Sequence, residues 1–575
     1  MLRPSRLVFA LAFLAAACST RVPQTSSHYP SGWRYAQVDS PVVGRQAMVA
    51  TEHPIASEVG ADIMRRGGNA VDAAVAVSFV QEVVNPRAGN IGGGGFMMYR
   101  EASGQVYALD YREKAPGAAS RDMYLDSAGN VTEASVIGPR AAGVPGSVAG
   151  LWAAHQRFGR LPWRDLVAPA IRLAAEGHII DTARAQVIIG NRSRLGRFPT
   201  SAALFFPNGD TLRAGTLWRQ PELAATLQLI ADSGANGFYR GRTADLIVAE
   251  MQRSGGIITH QDLESYQPAW REPIPISYRG YTIYSMPPAS SGGVTMALMF
   301  NILEGYPTLP RFGSPELLHL EIEAMRRAFT DRNRWLGDPD FVRMPLERLL
   351  SKEYAAGLRA QIDRRHATPS SMMPPIVETS EGTETTHYSI VDPMGDAVSL
   401  TTTLNDNFGN ALVVGGAGFL LNDEMDDFAA KPGAPNDYGL VQGEPNAIAP
   451  NKRMLSAMTP SIVLNPQGQL ELVVGAPGGP RIITAVWQVI SNVIDHHMDL
   501  AAAVYAPRIH HQALPDSIRW EQGGVDPNTR RKLEKMGHAF SARPGSNAVI
   551  EAIRVTPRGL EGVTDPRITS HAAGY

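Results

Sequence analysis

The chain changes character at residue 385. From His366 to Glu384 it is rich in Pro, Ser, Thr and Glu, and Pro369, Pro374 and Pro375 oppose regular structure, so this stretch predicts an exposed loop. Immediately afterwards, Thr386 to Asp392 and Ala397 to Leu404 alternate in the manner of strands and are rich in β-branched residues, with Pro393-Met394-Gly395-Asp396 as a turn between them. The pair reads as a hairpin. With Val391 opposite Ala397, Thr385 falls opposite Thr403, and directly opposed residues share a face of the sheet. Any fold for this chain must therefore deliver the end of a long loop to the head of a paired strand, with a threonine at the junction.

That junction has chemical meaning. A threonine hydroxyl is a poor nucleophile at neutral pH and needs a base within hydrogen-bond reach. If the Thr385 hydroxyl attacks the carbonyl of Glu384, the peptide becomes an ester, water opens it, and Thr385 emerges with an α-amine of its own. An α-amine has a reference pKa of about 7.7–8.0, which suits general-base duty near neutrality. Nucleophile and base then reside in one residue.

The whole chain of 575 residues, 44% hydrophobic and 19% charged, is too large for one compact core, so two layers or lobes are expected. Ala56 to Arg66, closed by Gly67-Gly68, and Ala70 to Val84 read as helices, the second apolar enough to be buried. Further on, helical windows such as Pro315 to Leu336 alternate with short strands such as Tyr281 to Ser285, and no repeat is visible. Patterning alone thus gives a mixed α/β class. The formal charge is −2 and no basic run carries interleaved aromatics, which argues against a nucleic-acid partner.

Residues 1–17 read as an export signal: Arg3 and Arg6, an apolar run from Leu7 to Ala17, then small residues. The run is too short to span a bilayer and leads to Cys18, the one cysteine of the chain, which rules out an internal disulfide. Leu14-Ala15-Ala16-Ala17-Cys18 resembles a bacterial lipobox, implying lipidation of Cys18 and a periplasmic, outer-membrane-anchored protein, with residues 18–39 as anchor and tether. An ordinary signal peptide with an incidental cysteine is the other reading.

Thr385-Thr386-His387-Tyr388-Ser389 resembles the start of the small subunit of γ-glutamyltranspeptidases. The likeness continues, in the family's order, through Asn405, Leu421-Asn422-Asp423-Glu424-Met425-Asp426-Asp427-Phe428, Pro450-Asn451-Lys452-Arg453, Pro477-Gly478-Gly479 and Ala573-Gly574-Tyr575. Upstream it includes Gly89-Asn90-Ile91-Gly92-Gly93-Gly94-Gly95-Phe96 and Asp110-Tyr111-Arg112-Glu113. Each motif is weak alone, and their joint occurrence from about residue 40 onward is specific. The resemblance implies the four-layer αββα sandwich of N-terminal-nucleophile hydrolases, built jointly by a large subunit (40–384) and a small catalytic subunit (385–575) that stay together as a heterodimer. It implies transfer or hydrolysis of γ-glutamyl groups, with glutathione as donor, amino acids or dipeptides as acceptors, and no cofactor.

It also assigns residues. Thr403 matches a threonine held beside the nucleophile, which agrees with the hairpin register. Gly478 and Gly479 lie between a strand, Leu470 to Val474, and a helix beginning near Pro480-Arg481. From the residues alone they are a turn pair or an oxyanion hole with amides beside a helix end, and the resemblance implies the second. Arg112 matches an arginine that grips the donor's α-carboxylate, a task suited to a planar fork. Glu424 and Asp427 match the acids that hold its α-ammonium, Asn405 and Ser456 match further contacts, and Tyr438 matches the tip of a lid loop. One departure stands out: Leu455-Ser456-Ala457-Met458 has alanine where the family usually has a second serine.

No metal set emerges, since His496-His497 and His510-His511 are adjacent pairs whose side chains diverge, and no HExxH motif or cysteine cluster exists. The run Gly92 to Gly95 does not fit a dinucleotide motif and reads as a tight turn. Two other functions compete: a related acylase that removes glutaryl or similar groups from a β-lactam nucleus, and a catalytically silent exported binding lipoprotein. Glutaryl lacks an α-ammonium, so the Glu424 and Asp427 pair argues for γ-glutamyl donors.

Overall fold

The computed structural model describes residues 29–373, 385–434 and 442–575. Cys18, Glu384 and Tyr438 lie outside the described residues.

Two antiparallel seven-stranded sheets form the centre. One runs, edge to edge, Val42–Gly44, Gly559–Thr564, Glu551–Thr556, Leu470–Gly475, Ser461–Leu464, Tyr281–Ser285 and Ile274–Tyr278. The other runs His571–Gly574, Met48–Thr51, Thr386–Val391, Ala397–Thr403, Gly94–Arg100, Val106–Asp110 and Ala269–Arg271. Residues before and after Thr385 contribute strands to both sheets, so neither part has a core of its own.

The layering follows from the alternation in the predicted hairpin. Tyr388, Ile390, Val398 and Leu400 point outward into a core shared with the helices Ala70–Val84, Ser147–Phe158 and Trp163–Glu176. The intervening positions are polar and face the other sheet. There Ser389 Oγ donates to the Glu551 carbonyl at 2.9 Å and Ser399 Oγ to the Val474 carbonyl at 3.0 Å. Hydroxyl-to-backbone bonds thus tie the two sheets together where apolar packing alone would leave the register loose. The far side of the first sheet is covered by Gly292–Glu304, Pro315–Trp335 and Arg481–Ile494. The result is the αββα sandwich that the resemblance implied.

Local expectations hold with small shifts. The hairpin pairs Thr386 with Thr402 and Val391 with Ala397, the expected register. Ala70–Val84 is a helix, entered through a capping box in which Asn69 and Asp72 exchange side-chain and backbone bonds. The helix before it begins two residues earlier than expected, at Pro54, because His53 Nδ1 accepts the Ile55 amide and proline suits a first helical position. The glycine run is only half a turn: Gly94 and Gly95 open the strand Gly94–Arg100 and pair with Thr403 and Thr402. The reason is steric. A β-carbon on Gly95 would lie 2.5 Å from the Thr401 carbonyl oxygen, so this close approach of strands excludes side chains.

Candidate active site

An open cleft is lined by Thr385, Thr403, Asn405, Arg112, Glu424, Asp427, Ser456, Ala457, Gly479 and Arg332, with Leu455, Met458, Pro480 and Ile482. Among the described residues, every site residue expected from the sequence except Gly478 lines this cleft, and Gly478 adjoins Gly479 in the chain.

Thr385 precedes the first residue of the strand Thr386–Val391, and continuing that register sets it across from Thr403. Both are almost fully buried. Beyond Thr403 the chain turns through Asn405, whose φ of 83° is left-handed, a conformation asparagine tolerates better than most residues. This turn brings the Asn405 amide onto Thr403 Oγ1 at 2.8 Å and Asn405 Nδ2 onto the Asp423 carbonyl at 3.1 Å. It therefore fixes the threonine and joins it to the acidic segment.

His387, two residues from Thr385 and on the same face, looks like a natural base, but the structure gives it another task. Its ring nitrogens lie 2.8 Å from Thr401 Oγ1 and 3.1 Å from Ser389 Oγ, and burial lowers its pKa to about 3. It is neutral, hydrogen-bonded within its own sheet and packed against Gly475 of the other.

Gly478 and Gly479 connect Leu470–Gly475 to the helix Arg481–Ile494, with φ of 139° and 58°. A β-carbon on Gly478 would meet Ala548 at 2.8 Å, so glycine is required there for space as well as for conformation. The Gly479 carbonyl accepts the Ile482 amide at 3.0 Å, which starts the helix at the cleft wall and points its positive end there.

Arg112 is buried and ringed by carboxylates. Nη1 lies 2.6 Å from Glu424 Oε2 and 3.6 Å from Glu113 Oε2, and Nη2 pairs with Asp427. Burial opposes its charge, but Glu424, Asp427 and Glu113 outweigh that and hold it protonated. Burial likewise pushes all three carboxyls up: Glu113 to about 8 and Glu424 well above its ordinary range, with Arg112 opposing the rise. One guanidinium against three acids therefore leaves the cluster biased toward holding a proton or a second cation.

Ser456 is held by the start of the helix Gly292–Glu304: its carbonyl accepts the Ser291 amide at 2.7 Å and the Ser291 hydroxyl at 2.6 Å, while its own Oγ accepts the Met458 amide at 3.1 Å. Asn422 fastens the acidic segment in the same way, donating from Nδ2 to the Gly92 and Gly143 carbonyls at 2.8 and 2.9 Å.

A model of the gamma-glutamyltranspeptidase family matches residues 56–575. The chain belongs to that family. It is 43% identical over 583 aligned positions to the glutathione hydrolase proenzyme of Escherichia coli, covering 100% of both chains. Among solved structures it is similar to the gamma-glutamyltranspeptidase of Helicobacter pylori, at 42% identity and TM-score 0.57 over 59% of this chain and 97% of that one. It is also similar to the cephalosporin acylase of Bacillus halodurans, at 28% identity and TM-score 0.82 over 95% of this chain and 99% of that one.

For this family member, sequence reasoning missed Arg332 and Glu113 as parts of the site. Glu113 belongs to the Asp110-Tyr111-Arg112-Glu113 motif, in which only Arg112 carries an expected role. Arg332 had a legible signal: on the helix Pro315–Trp335 it continues the apolar stripe Met325, Ala328 and Phe329, where a charged residue needs an explanation. Conversely, His510 and His511 do diverge, to Thr484 and Gln512 on one side and to Asp516 on the other.

Proposed function

We propose that this chain is an exported glutathione hydrolase and γ-glutamyltransferase that cuts itself between Glu384 and Thr385. The observation that carries the reading is the cleft itself: a threonine at a strand head, an amide-bearing glycine turn at a helix start, and a guanidinium–carboxylate cluster matched to an amino-acid end, all in a chain similar over its whole length to a glutathione hydrolase proenzyme.

In the processed enzyme the Thr385 α-amine takes the proton of its own hydroxyl as Oγ1 attacks the γ-carbonyl carbon of the donor. The oxyanion is met by the amides of the Gly478-Gly479 turn, and a single good donor of this kind is worth roughly 3–4 kcal/mol. The C–N bond breaks, the amine leaves with the proton, and a γ-glutamyl ester remains on Thr385. Water, or the amine of an amino acid or dipeptide, then attacks the ester and regenerates the hydroxyl. Arg112, Asn405 and Ser456 serve the donor's carboxylate end, and Glu424 and Asp427 its ammonium. The interleaving of strands supports two cleavage products that remain one body.

Mass spectrometry of the purified protein tests the reading: two chains, one beginning at Thr385, are expected from wild type and a single uncut chain from Thr385→Ala. Normal two-chain protein from Thr385→Ala would sink the mechanism. A glutaryl acylase is the second reading, favoured by the overall similarity to the acylase structure. Comparing γ-glutamyl and glutaryl anilides separates them, and faster glutaryl turnover would favour the acylase. The proposed export and lipid anchor are tested by Cys18→Ser, which should release the protein from the membrane fraction of a bacterium that processes lipoproteins.

A further inference from the structure

The cleft holds two buried guanidinium groups, and they are in different states. Arg112 has its side-chain nitrogens engaged: Nη1 with Glu424, Nη2 with Asp427, and Nε reaching the Met454 carbonyl at 3.5 Å. Arg332, on the helix Pro315–Trp335, is 1% exposed and lines the same cleft. Its Nε donates to Ser291 Oγ at 2.9 Å and its Nη1 to Asn333 Oδ1 at 2.9 Å. Its Nη2 has no hydrogen-bond acceptor among the described residues. A buried guanidinium nitrogen without an acceptor costs stability, and such a group in a cleft marks where a ligand's acceptor belongs.

Resting on the γ-glutamyl reading above, we propose that Arg332 is a second carboxylate-binding residue of the donor site, its Nη2 donating directly to the donor's carboxylate. The two nitrogens already fixed by Ser291 and Asn333 orient the group, so it presents its remaining edge without further ordering. Burial lowers its pKa to about 10, with Asp427 opposing the fall, so it stays a cation at neutral pH. Asp427 therefore lies within the field of both arginines, which suits a zwitterion with its carboxylate toward Arg332 and its ammonium toward Asp427. Such an arrangement assigns Arg112 a large share of work in holding the acids, and it makes Arg332 a determinant of selectivity for donors that carry a carboxylate.

The test compares γ-glutamyl anilide with 4-aminobutyryl anilide, which differ in that carboxylate alone, in wild type, Arg332→Gln, Arg332→Lys and Ser291→Ala. Cleavage into two chains serves as the folding control. Arg332→Gln should raise KM for the γ-glutamyl anilide by about ten- to a hundredfold while leaving KM for the 4-aminobutyryl anilide within about twofold and kcat nearly constant. Arg332→Lys should recover part of the loss. Ser291→Ala, which removes the Nε partner but leaves Nη1 held by Asn333, should shift the ratio between the two donors in the same direction by less than Arg332→Gln does. A parallel rise for both donors, no rise for either, or a Ser291→Ala enzyme that reproduces the Arg332→Gln ratio would each overturn the proposal. Should wild type turn over neither anilide, the hydrolase reading fails, and calorimetric binding of free glutamate and 4-aminobutyrate decides Arg332 alone: selective loss of glutamate binding in Arg332→Gln supports it, and equal binding by both proteins overturns it. If Arg332→Gln fails to fold, as an absence of both cleavage and a cooperative melt would reveal, Arg332→Lys decides through the same donor ratio, and an unchanged ratio overturns the proposal.

Discussion

Gly93 lies so close to Thr403 that a β-carbon on the glycine would stand 2.1 Å from the threonine's carbonyl oxygen. The Gly93 carbonyl also accepts the Gly146 and Ser147 amides at 2.8 and 3.0 Å, so it cannot retreat without disturbing the start of Ser147–Phe158. Gly93→Ala should therefore push on the strand that carries Thr403. Overpacking of this kind costs about 1–3 kcal/mol. The expected result is a lower melting temperature together with slow or incomplete cleavage at Thr385. Complete cleavage at an unchanged melting temperature would show that the strand yields without moving Thr403.

The hairpin that places Thr385 opposite Thr403 was legible because period-2 alternation and a Pro-Met-Gly-Asp turn specify register locally. The site's other walls were not legible that way. Arg112, Asn405, Glu424, Ser456 and Gly479 come from segments far apart in the chain, and nothing local says that they converge; the resemblance supplied that. It also missed the state of the convergence. That Arg112 is encircled by Glu113, Glu424 and Asp427, and that Arg332 lines the same cleft, depends on packing between distant segments. The glycine run misled because a turn and a side-chain-free strand crossing use the same residue, and the partner strand lies some three hundred residues away.

Glu82 gives a pH signature independent of catalysis. It sits in the buried helix Ala70–Val84 and accepts the Ile91 amide at 2.7 Å, and burial raises its pKa from the ordinary 4.5 to about 8. The native state then holds more protons than the unfolded chain across that window. Stability from this group is complete below about pH 4.5 and is lost as pH rises through about 8. Glu82→Gln keeps an acceptor for Ile91 and removes the titration. Its stability advantage over wild type should grow between pH 5 and pH 9, by on the order of a few kcal/mol. A constant difference in melting temperature across that range would show that Glu82 is not raised.

Arg112→Lys should separate charge balance from recognition. A lysine ammonium is a point charge and cannot pair with Glu424 and Asp427 at once, so one buried carboxylate loses its partner, a change worth about 3–5 kcal/mol. Both stability and γ-glutamyl turnover should fall. Adding Glu424→Gln should restore much of the melting temperature, since the orphaned charge is gone, while leaving turnover low. If turnover returns along with stability, Arg112 serves the fold rather than the donor.

Ala457 offers the sharpest test of what the carboxylate wall lacks. It lines the cleft beside Ser456 and Arg332, nearly buried, and its carbonyl accepts the Thr459 hydroxyl at 2.8 Å, so the backbone at this point is already fixed. Serine in its place adds one hydroxyl without moving the chain. A hydrogen bond to a charged group is worth roughly 1.5–3 kcal/mol, but the gain shrinks where other donors already serve the same oxygens. Arg332 Nη2 and Ser456 lie on that wall, so Ala457→Ser should lower KM for a γ-glutamyl anilide by about threefold to tenfold. Because the contact is made equally in the ground and transition states, kcat should change little. In an Arg332→Gln background the same substitution should help more, since fewer donors then compete for the carboxylate, and the two effects should couple as neighbours do. A rise in KM on adding the serine would mean that the wall is shaped for a bulkier acyl group, and the acylase reading would then take precedence over the γ-glutamyl one.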